Sequence, residues 1–422
     1  MSAIRRALRF CLLSTFYPPF SFGGDAIQVE RLAVALVERG HHVTVVHSRK
    51  AFETLSKRHP EGQTGDPRIR VLKLDSGPGP GAPVASYLTG RPISTSARLE
   101  ALFEQDFDVL HFHNPSLIGA PGAFRLGRAI KLYTAHEQWL VCPTHVLWKY
   151  QRRVCEKPTC WRCSLTYHRP PQLWRSGSLL RDSVAELDAL ILPSETSLRL
   201  HKRFAPIVRL EHIPHFVPDA PASDPEPPER AYFLFAGRLE PIKGAEVAIE
   251  AMRGRPEQLV IAGSGTLERK LRRSATGLDN VRFIGWVDSD RLDGLYRNAL
   301  AVIVPTLGHE AFGLVAVEAF SRGTPAILHH FGALGELLDA GGGGVGYKTP
   351  EGLQQALTQV ADPDVRASLA KRARAAYLRQ WTTDIHLGRY LSLIADLAAG
   401  RGDEDLAAVA RDAAAAPRAT HV

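Results

Sequence analysis

Residues 305–327 read PTLGHEAFGLVAVEAFSRGTPAI, and the four residues before them are AVIV. The run 301–304 has the length and β-branched character of a buried strand, 314–321 is apolar and helix-forming, and Gly323-Thr324-Pro325 stops that helix before a second strand at 326–328. The same alternation extends outward on both sides. Upstream lie strands at 232–235, 259–262 and 281–284, each followed by a helix-like segment, so residues 231–376 read as one doubly wound α/β domain. Residues 1–215 repeat the architecture without repeating the sequence, with strands at 8–14, 42–48, 69–74, 109–113, 131–135 and 189–192 and helical periodicity at 26–38 and 178–187. Between the two, 216–230 read FVPDAPASDPEPPER, whose prolines and acidic residues build no core and mark a linker. Beyond the second domain, 377–399 is an amphipathic helix suited to packing back on the amino-terminal domain. The Ala-rich stretch 400–422 has no evident core face and reads as a mobile tail. Such folds bind ligands at the carboxyl ends of their strands, so site residues are expected directly after strands.

A chain of 422 residues is longer than one core usually supports, and 45% hydrophobic with 23% charged residues excludes a disordered or fibrous protein. The net charge of +8 suits an anionic partner. Its basic residues are scattered, with no long run and no aromatic-rich motif that would favour nucleic acid, and most of them read as solvated surface. Arg9 interrupts the apolar start and Pro18-Pro19 follows it, which reads as a first buried strand and not as a signal peptide. No apolar run reaches the length that crosses a bilayer. The expected location is cytoplasmic, with peripheral contact at the inner membrane face left open.

Two segments carry candidate chemistry. AYFLFAGRLEPIKGAEVAIEAM, 231–252, places Gly237, Arg238 and Lys243 in a turn between strand and helix, where glycine permits close backbone approach and two cations reinforce the positive end of the helix dipole. A pyrophosphate fits such a turn, although a basic loop at a solvated helix start has the same composition. In 305–327, Glu310 and Glu318 flank a helix start whose Phe312, Gly313 and Leu314 amides have no intrahelical partner and can hold phosphate oxygens. Glu318, two turns in, suits a pair of ribose hydroxyls; Glu310, at the strand end, suits sugar hydroxyls.

These segments, with 14–46, DVLHFHNP at 108–115, LILPSE at 190–195, VIAGSGTLERKL at 260–271 and NVRFIGWV at 280–287, resemble family four of the retaining glycosyltransferases. The resemblance implies the GT-B fold, two Rossmann-like domains facing a central cleft, and a hexosyltransferase that uses a nucleotide diphosphate sugar. It implies that Arg238 and Lys243 hold the donor diphosphate, Glu318 the ribose and Glu310 the sugar, with Gly23 and Gly24 approaching the diphosphate from the other domain. The base is implied to lie by Gly285, Trp286 and Val287, with Gly263 nearby. That leaves uracil, guanine or adenine open and favours a UDP- or GDP-sugar. His113 matches the histidine beside the reacting sugar, with His111 second to it. Catalysis is implied to be front-face, with His113, Glu310, Arg238 and Lys243 as its residues and no catalytic metal. Two departures stand out: Ile213-Pro214-His215-Phe216 where relatives read Ile-Pro-Asn-Gly, which suggests a stiffer hinge, and Ala311 where glycine is usual.

A cysteine-rich insertion spans 138–175. Its Cys142, Cys155, Cys160 and Cys163 are separated by spacings that include one C-x-x-C, so four thiolates can make a structural zinc site. Buried or free thiols in an insertion fit the irregular spacing equally well. The acceptor, whether glycan, lipid-linked or small molecule, is not encoded in any motif. A sugar-nucleotide epimerase of the same fold and a non-catalytic nucleotide-sugar-binding regulator are the alternatives; a nicotinamide dehydrogenase is disfavoured because 262–271 lacks the third glycine of the dinucleotide fingerprint.

Overall fold

Apolar residues on both faces of every central strand force this chain into layered sheets covered by helices. In a computed structural model, which describes residues 6–56, 65–75, 81–220 and 231–416, the chain divides into two units. The first comprises 1–145, 168–214 and 383–422, and the second 146–167 and 215–382.

The first unit is built on a seven-stranded parallel sheet in the order Arg70–Lys73, His42–His47, Arg9–Leu13, Val109–Phe112, Ile130–Thr134, Ala189–Leu192, Arg209–His212. Its core includes Leu13, Leu110, Phe112, Phe124, Tyr133 and Leu190. The last strand, RLEH, is too polar to register as a strand in sequence, and it lies at the sheet edge, where one side needs no apolar cover.

The second unit carries a six-stranded parallel sheet, ordered Val281–Gly285, Gln258–Ala262, Tyr232–Ala236, Ala301–Val304, Ala326–His329, Gly344–Tyr347. Its strands show why alternation is invisible in the sequence. Tyr232, Leu234, Val302 and Val304 face one apolar core, while Phe233, Phe235, Ala301 and Ile303 face another. The glycine-rich edge strand also escapes sequence reading. The backbone before it runs so close to the helix Pro363–Gln380 that a Cβ on Gly343 would sit 2.0 Å from the Leu369 carbonyl oxygen.

Three boundaries differ from expectation. The linker does not begin at 216: Phe216 and Val217 are buried, the Val217 amide donates to the Trp381 carbonyl at 3.1 Å, and the Tyr377 hydroxyl donates to the Val217 carbonyl at 2.9 Å. Of that stretch, 221–230 falls outside the described residues. Part of the cysteine-rich insertion, 146–167, belongs to the second unit and not to the first. The stretch from 400 is no loose tail up to 416. Asp403 caps a helix Glu404–Ala415 by accepting from the Leu406 amide, and Leu406, Ala407 and Ala410 form a buried stripe against the helix Thr383–Gly400. Residues 417–422 lie outside the described residues.

The helix Thr383–Gly400 belongs to the first unit, where Tyr390 packs on Phe10 at 6.1 Å and Arg39 pairs with Asp384 at 2.6 Å. Since Leu406 is 6% exposed, Leu406→Ala should destabilise the protein by about 2–4 kcal/mol. Urea unfolding measures this, with exposed Arg411→Ala expected to stay within about 0.5 kcal/mol of wild type.

Candidate active site

In the second sheet the strand order reverses between Tyr232–Ala236 and Ala301–Val304, so the connections leaving these two neighbours diverge and open a crevice at their carboxyl ends. The turn 237–244 follows the first strand and the loop 305–313 follows the second. Gly244 links them: at φ 69° its missing Cβ would lie 2.1 Å from the Pro305 carbonyl oxygen, so only glycine lets the loops approach. There Lys243 Nζ meets Glu310 Oε1 at 2.5 Å. The Thr306 hydroxyl donates to the same oxygen at 2.8 Å, and the Thr306 carbonyl accepts from His329 Nδ1 at 2.7 Å. Burial alone pushes the Glu310 carboxyl up. The Lys243 ammonium, the hydrogen bonds from Lys243 and Thr306, and the charge of Arg238 outweigh it and hold the group below its ordinary range. Arg238 itself is exposed.

Beside this pair the backbone is laid bare. The Gly237 amide donates to the Ala262 carbonyl at 3.0 Å and the Gly263 amide to the Gly285 carbonyl at 2.7 Å. A Cβ on Gly263, at φ 138°, would fall 1.9 Å from the Gly237 carbonyl oxygen, so three successive strand ends come together without side chains between them. Trp286 is 68% exposed and Val287 half-buried just beyond. The helix Leu314–Ser321 starts after Gly313, at φ 109°, with no side-chain cap, while the Phe312 ring is buried and meets His215 edge-on at 5.5 Å. Glu318 on this helix accepts a hydrogen bond from the Tyr296 hydroxyl at 2.7 Å. The structure therefore gathers Gly237, Lys243, Gly263 and Glu310 around the switch point, with Glu318 just over one turn along the adjoining helix.

The remaining expected residues lie in the first unit, at the carboxyl ends of its own strands. Gly23 precedes the helix Gly24–Glu38 in extended backbone, and a Cβ there would meet nothing nearer than Asp25 at 3.9 Å, so the protein's own packing does not require glycine. Asp25 accepts from Asn114 Nδ2 at 2.9 Å, joining that helix start to the strand carrying His113. His113 is buried, with Nδ1 2.9 Å from His136 Nε2. His111 is locked between the Tyr390 hydroxyl at 3.0 Å and the Thr134 hydroxyl at 2.8 Å, which makes it a structural neighbour of His113. Burial lowers the pKa of both His111 and His136, the latter to about 4, so both rings are neutral near pH 7.

Sequence reading missed Thr306, Tyr296 and His136 as partners. Thr306 carried a signal, since it stands at the same strand end as Glu310, whereas Tyr296 is contributed by a separate helix, Ser289–Asn298. The expected four-thiolate centre is not formed. Among the described residues no three His, Cys, Asp or Glu side chains are placed to hold one metal ion. Cys142 belongs to the first unit, its Sγ 3.2 Å from the Thr144 hydroxyl, while Cys155, Cys160 and Cys163 belong to the second.

Two units, each a parallel sheet covered by helices, have the architecture of the GT-B fold. Residues 22–220 match Glycosyltransferase Family 4 and 217–376 match Glycosyl transferases group 1. The chain belongs to glycosyltransferase family 4. It is 29% identical to glycogen synthase of Mycobacterium tuberculosis over 408 residues, 88% of this chain and 90% of that one. A GDP-mannose-dependent alpha-(1-6)-phosphatidylinositol dimannoside mannosyltransferase of the same species is 35% identical over 155 residues, 35% of this chain and 40% of that one. Among solved structures, sucrose-phosphate synthase of Thermosynechococcus elongatus superposes with TM-score 0.69 at 21% identity, covering 95% and 99% of the two chains. Anabaena HepE bound to UDP-glucose gives 0.62 at 17% identity, covering 94% and 99%.

The Glu310 carboxylate is stabilised by Lys243, so the benefit is complete above the ordinary carboxyl pKa of about 4 and fades as pH falls through the lower folded value. In Lys243→Met, only the Thr306 hydrogen bond and the Arg238 charge still oppose burial, and Glu310 should titrate higher. Urea unfolding at pH 7 is expected to show the variant less stable by about 1–3 kcal/mol, with the gap narrowing towards pH 4. A gap of constant size would mean that Glu310 ionisation is independent of Lys243.

Proposed function

We propose that the chain moves a hexosyl group from a nucleotide diphosphate sugar to a glycan, lipid-linked or small-molecule acceptor, with retention of anomeric configuration. The observation that carries this reading is the Lys243–Glu310 contact at the switch point, which sets a cation and a carboxylate side by side. In this reading Lys243 and Arg238 meet the donor diphosphate and stabilise the charge that grows on it as the glycosidic bond breaks. The bare first turn at Gly313 and Leu314 donates to phosphate oxygens. Glu310 accepts from sugar hydroxyls, and Glu318, oriented by Tyr296, accepts from the ribose. The base lies along the backbone from Gly285 to Val287, near Gly263. In the first unit, Gly23 and Gly24 are assigned to the diphosphate and His113 to the reacting sugar. The acceptor attacks the face that the diphosphate leaves, and a departing phosphate oxygen takes its proton, so positioning supplies much of the catalysis.

The names of the relatives support a hexosyl donor: one is GDP-mannose-dependent, and HepE is bound to UDP-glucose. Calorimetry with UDP, GDP, ADP and their sugars identifies the donor. Lys243→Ala should weaken it at least about tenfold, the equivalent of ~1.4 kcal/mol. Glu318→Ala should weaken the nucleoside diphosphate and the nucleotide sugar alike, whereas Glu310→Gln should weaken only the nucleotide sugar. Unchanged affinity in all three variants would overturn the assignment. Because two side-chain cations already meet the diphosphate, transfer to acceptor is expected to continue in EDTA, which product analysis by mass spectrometry checks.

A further inference from the structure

Residues 146–167 are an excursion: the chain leaves the first unit at His145, contributes to the second, and returns at His168. Among the described residues, the non-glycine positions with positive φ are His145, Leu147, Tyr150, Gln151 and His168, all inside this excursion or at its two ends. A left-handed backbone is unfavourable for a non-glycine residue, so such a cluster persists only where its surroundings fix it. They do. Trp148–Lys149 pairs antiparallel with Arg153–Val154, the Cys155 amide donates to the Leu147 carbonyl at 2.8 Å, and the Tyr167 hydroxyl donates to the Trp148 carbonyl at 2.5 Å.

What this bracing holds in place is Trp148, which is 7% exposed. A Cβ on Gly308 would lie 3.1 Å from Trp148 Cε3 and 2.7 Å from Ile242 Cδ1, so the indole and Ile242 share the space that the glycine leaves. Ile242 immediately precedes Lys243, and Gly308 stands two residues before Glu310. The indole thus packs at the junction of the two loops whose charged residues meet. Its Nε1–H is buried and has no hydrogen-bond partner among the described residues. A buried donor left unpaired is destabilising, a cost that a bound ligand accepting from it would remove.

We infer that Trp148 is a specificity-determining residue for the donor sugar, holding the loops of Lys243 and Glu310 together while its indole N–H donates to a sugar hydroxyl. This rests on the nucleotide-sugar reading above. The inserted segment is then a wall of the donor site, and the strain in its backbone serves to place one ring.

The test compares wild type with Trp148→Phe, which keeps an aromatic ring and removes the N–H, by calorimetry with three probes: the nucleoside diphosphate, its sugar, and the sugar's mono-deoxy analogues. The expected result is unchanged nucleoside diphosphate affinity, a loss of about fivefold to tenfold for the nucleotide sugar, and one deoxy analogue that binds both proteins equally. Gly308→Ala, whose methyl would crowd Ile242 Cδ1 at 2.7 Å and the edge of the ring at 3.1 Å, should weaken the nucleotide sugar more than the nucleoside diphosphate and serves as the second variant should Trp148→Phe fail to fold. Equal discrimination among the sugars in wild type and both variants overturns this inference while leaving the donor reading intact. Failure of wild type to bind any nucleoside diphosphate overturns both.

Discussion

An ammonium and a carboxylate brought to 2.5 Å by two loops of neighbouring strands is the constraint around which the second unit is organised. The contact requires the strands Tyr232–Ala236 and Ala301–Val304 to end together, and their parallel register secures this. It requires the loops to touch, which Gly244 permits by carrying no side chain against Pro305. It also needs a third group to settle the carboxylate, and Thr306 donates to the same oxygen. With both faces of the sheet given over to apolar cores, the strand ends are the natural place for charge.

The first unit treats its polar groups differently. His111, His113 and His136 form a run of contacts, with ring centres 3.9 Å and 5.1 Å apart, and His386 joins it through Tyr390. Burial lowers His386 to about 4, as it does His136, while its Nδ1 donates to the Pro214 carbonyl at 2.7 Å. Such a run is held by hydrogen bonds and ring packing, not by charge. It gives His113 a fixed orientation from its neighbours.

Much of the fold was legible because buried parallel strands announce themselves as short apolar runs with turn residues after them. Val109–Phe112, Ala189–Leu192 and Ala301–Val304 are of this kind. Arg209–His212 and Gly344–Tyr347 were not, since edge position excuses the first from being apolar and close helix packing imposes glycine around the second. Of the candidate site, the meeting of Lys243 with Glu310 was legible, because each follows a strand end directly and those strands are neighbours. The site was illegible where a partner comes from far along the chain: Tyr296 on Glu318, Tyr390 on His111 and Trp148 by Gly308 are products of topology. The cysteines were not decided by the sequence because spacing reports only sequence distance, and the division between the units falls between Cys142 and the other three.

The placement of Tyr390 also bears on the order of events during synthesis. Its ring covers Phe10 and its hydroxyl meets His111, so a side chain from late in the chain finishes a sheet begun by its earliest strand. A ribosome delivers the entire sheet of the second unit before it delivers that helix. The nascent first unit therefore waits with an apolar face uncovered, the circumstance in which newly made chains are most prone to aggregate or to recruit chaperones.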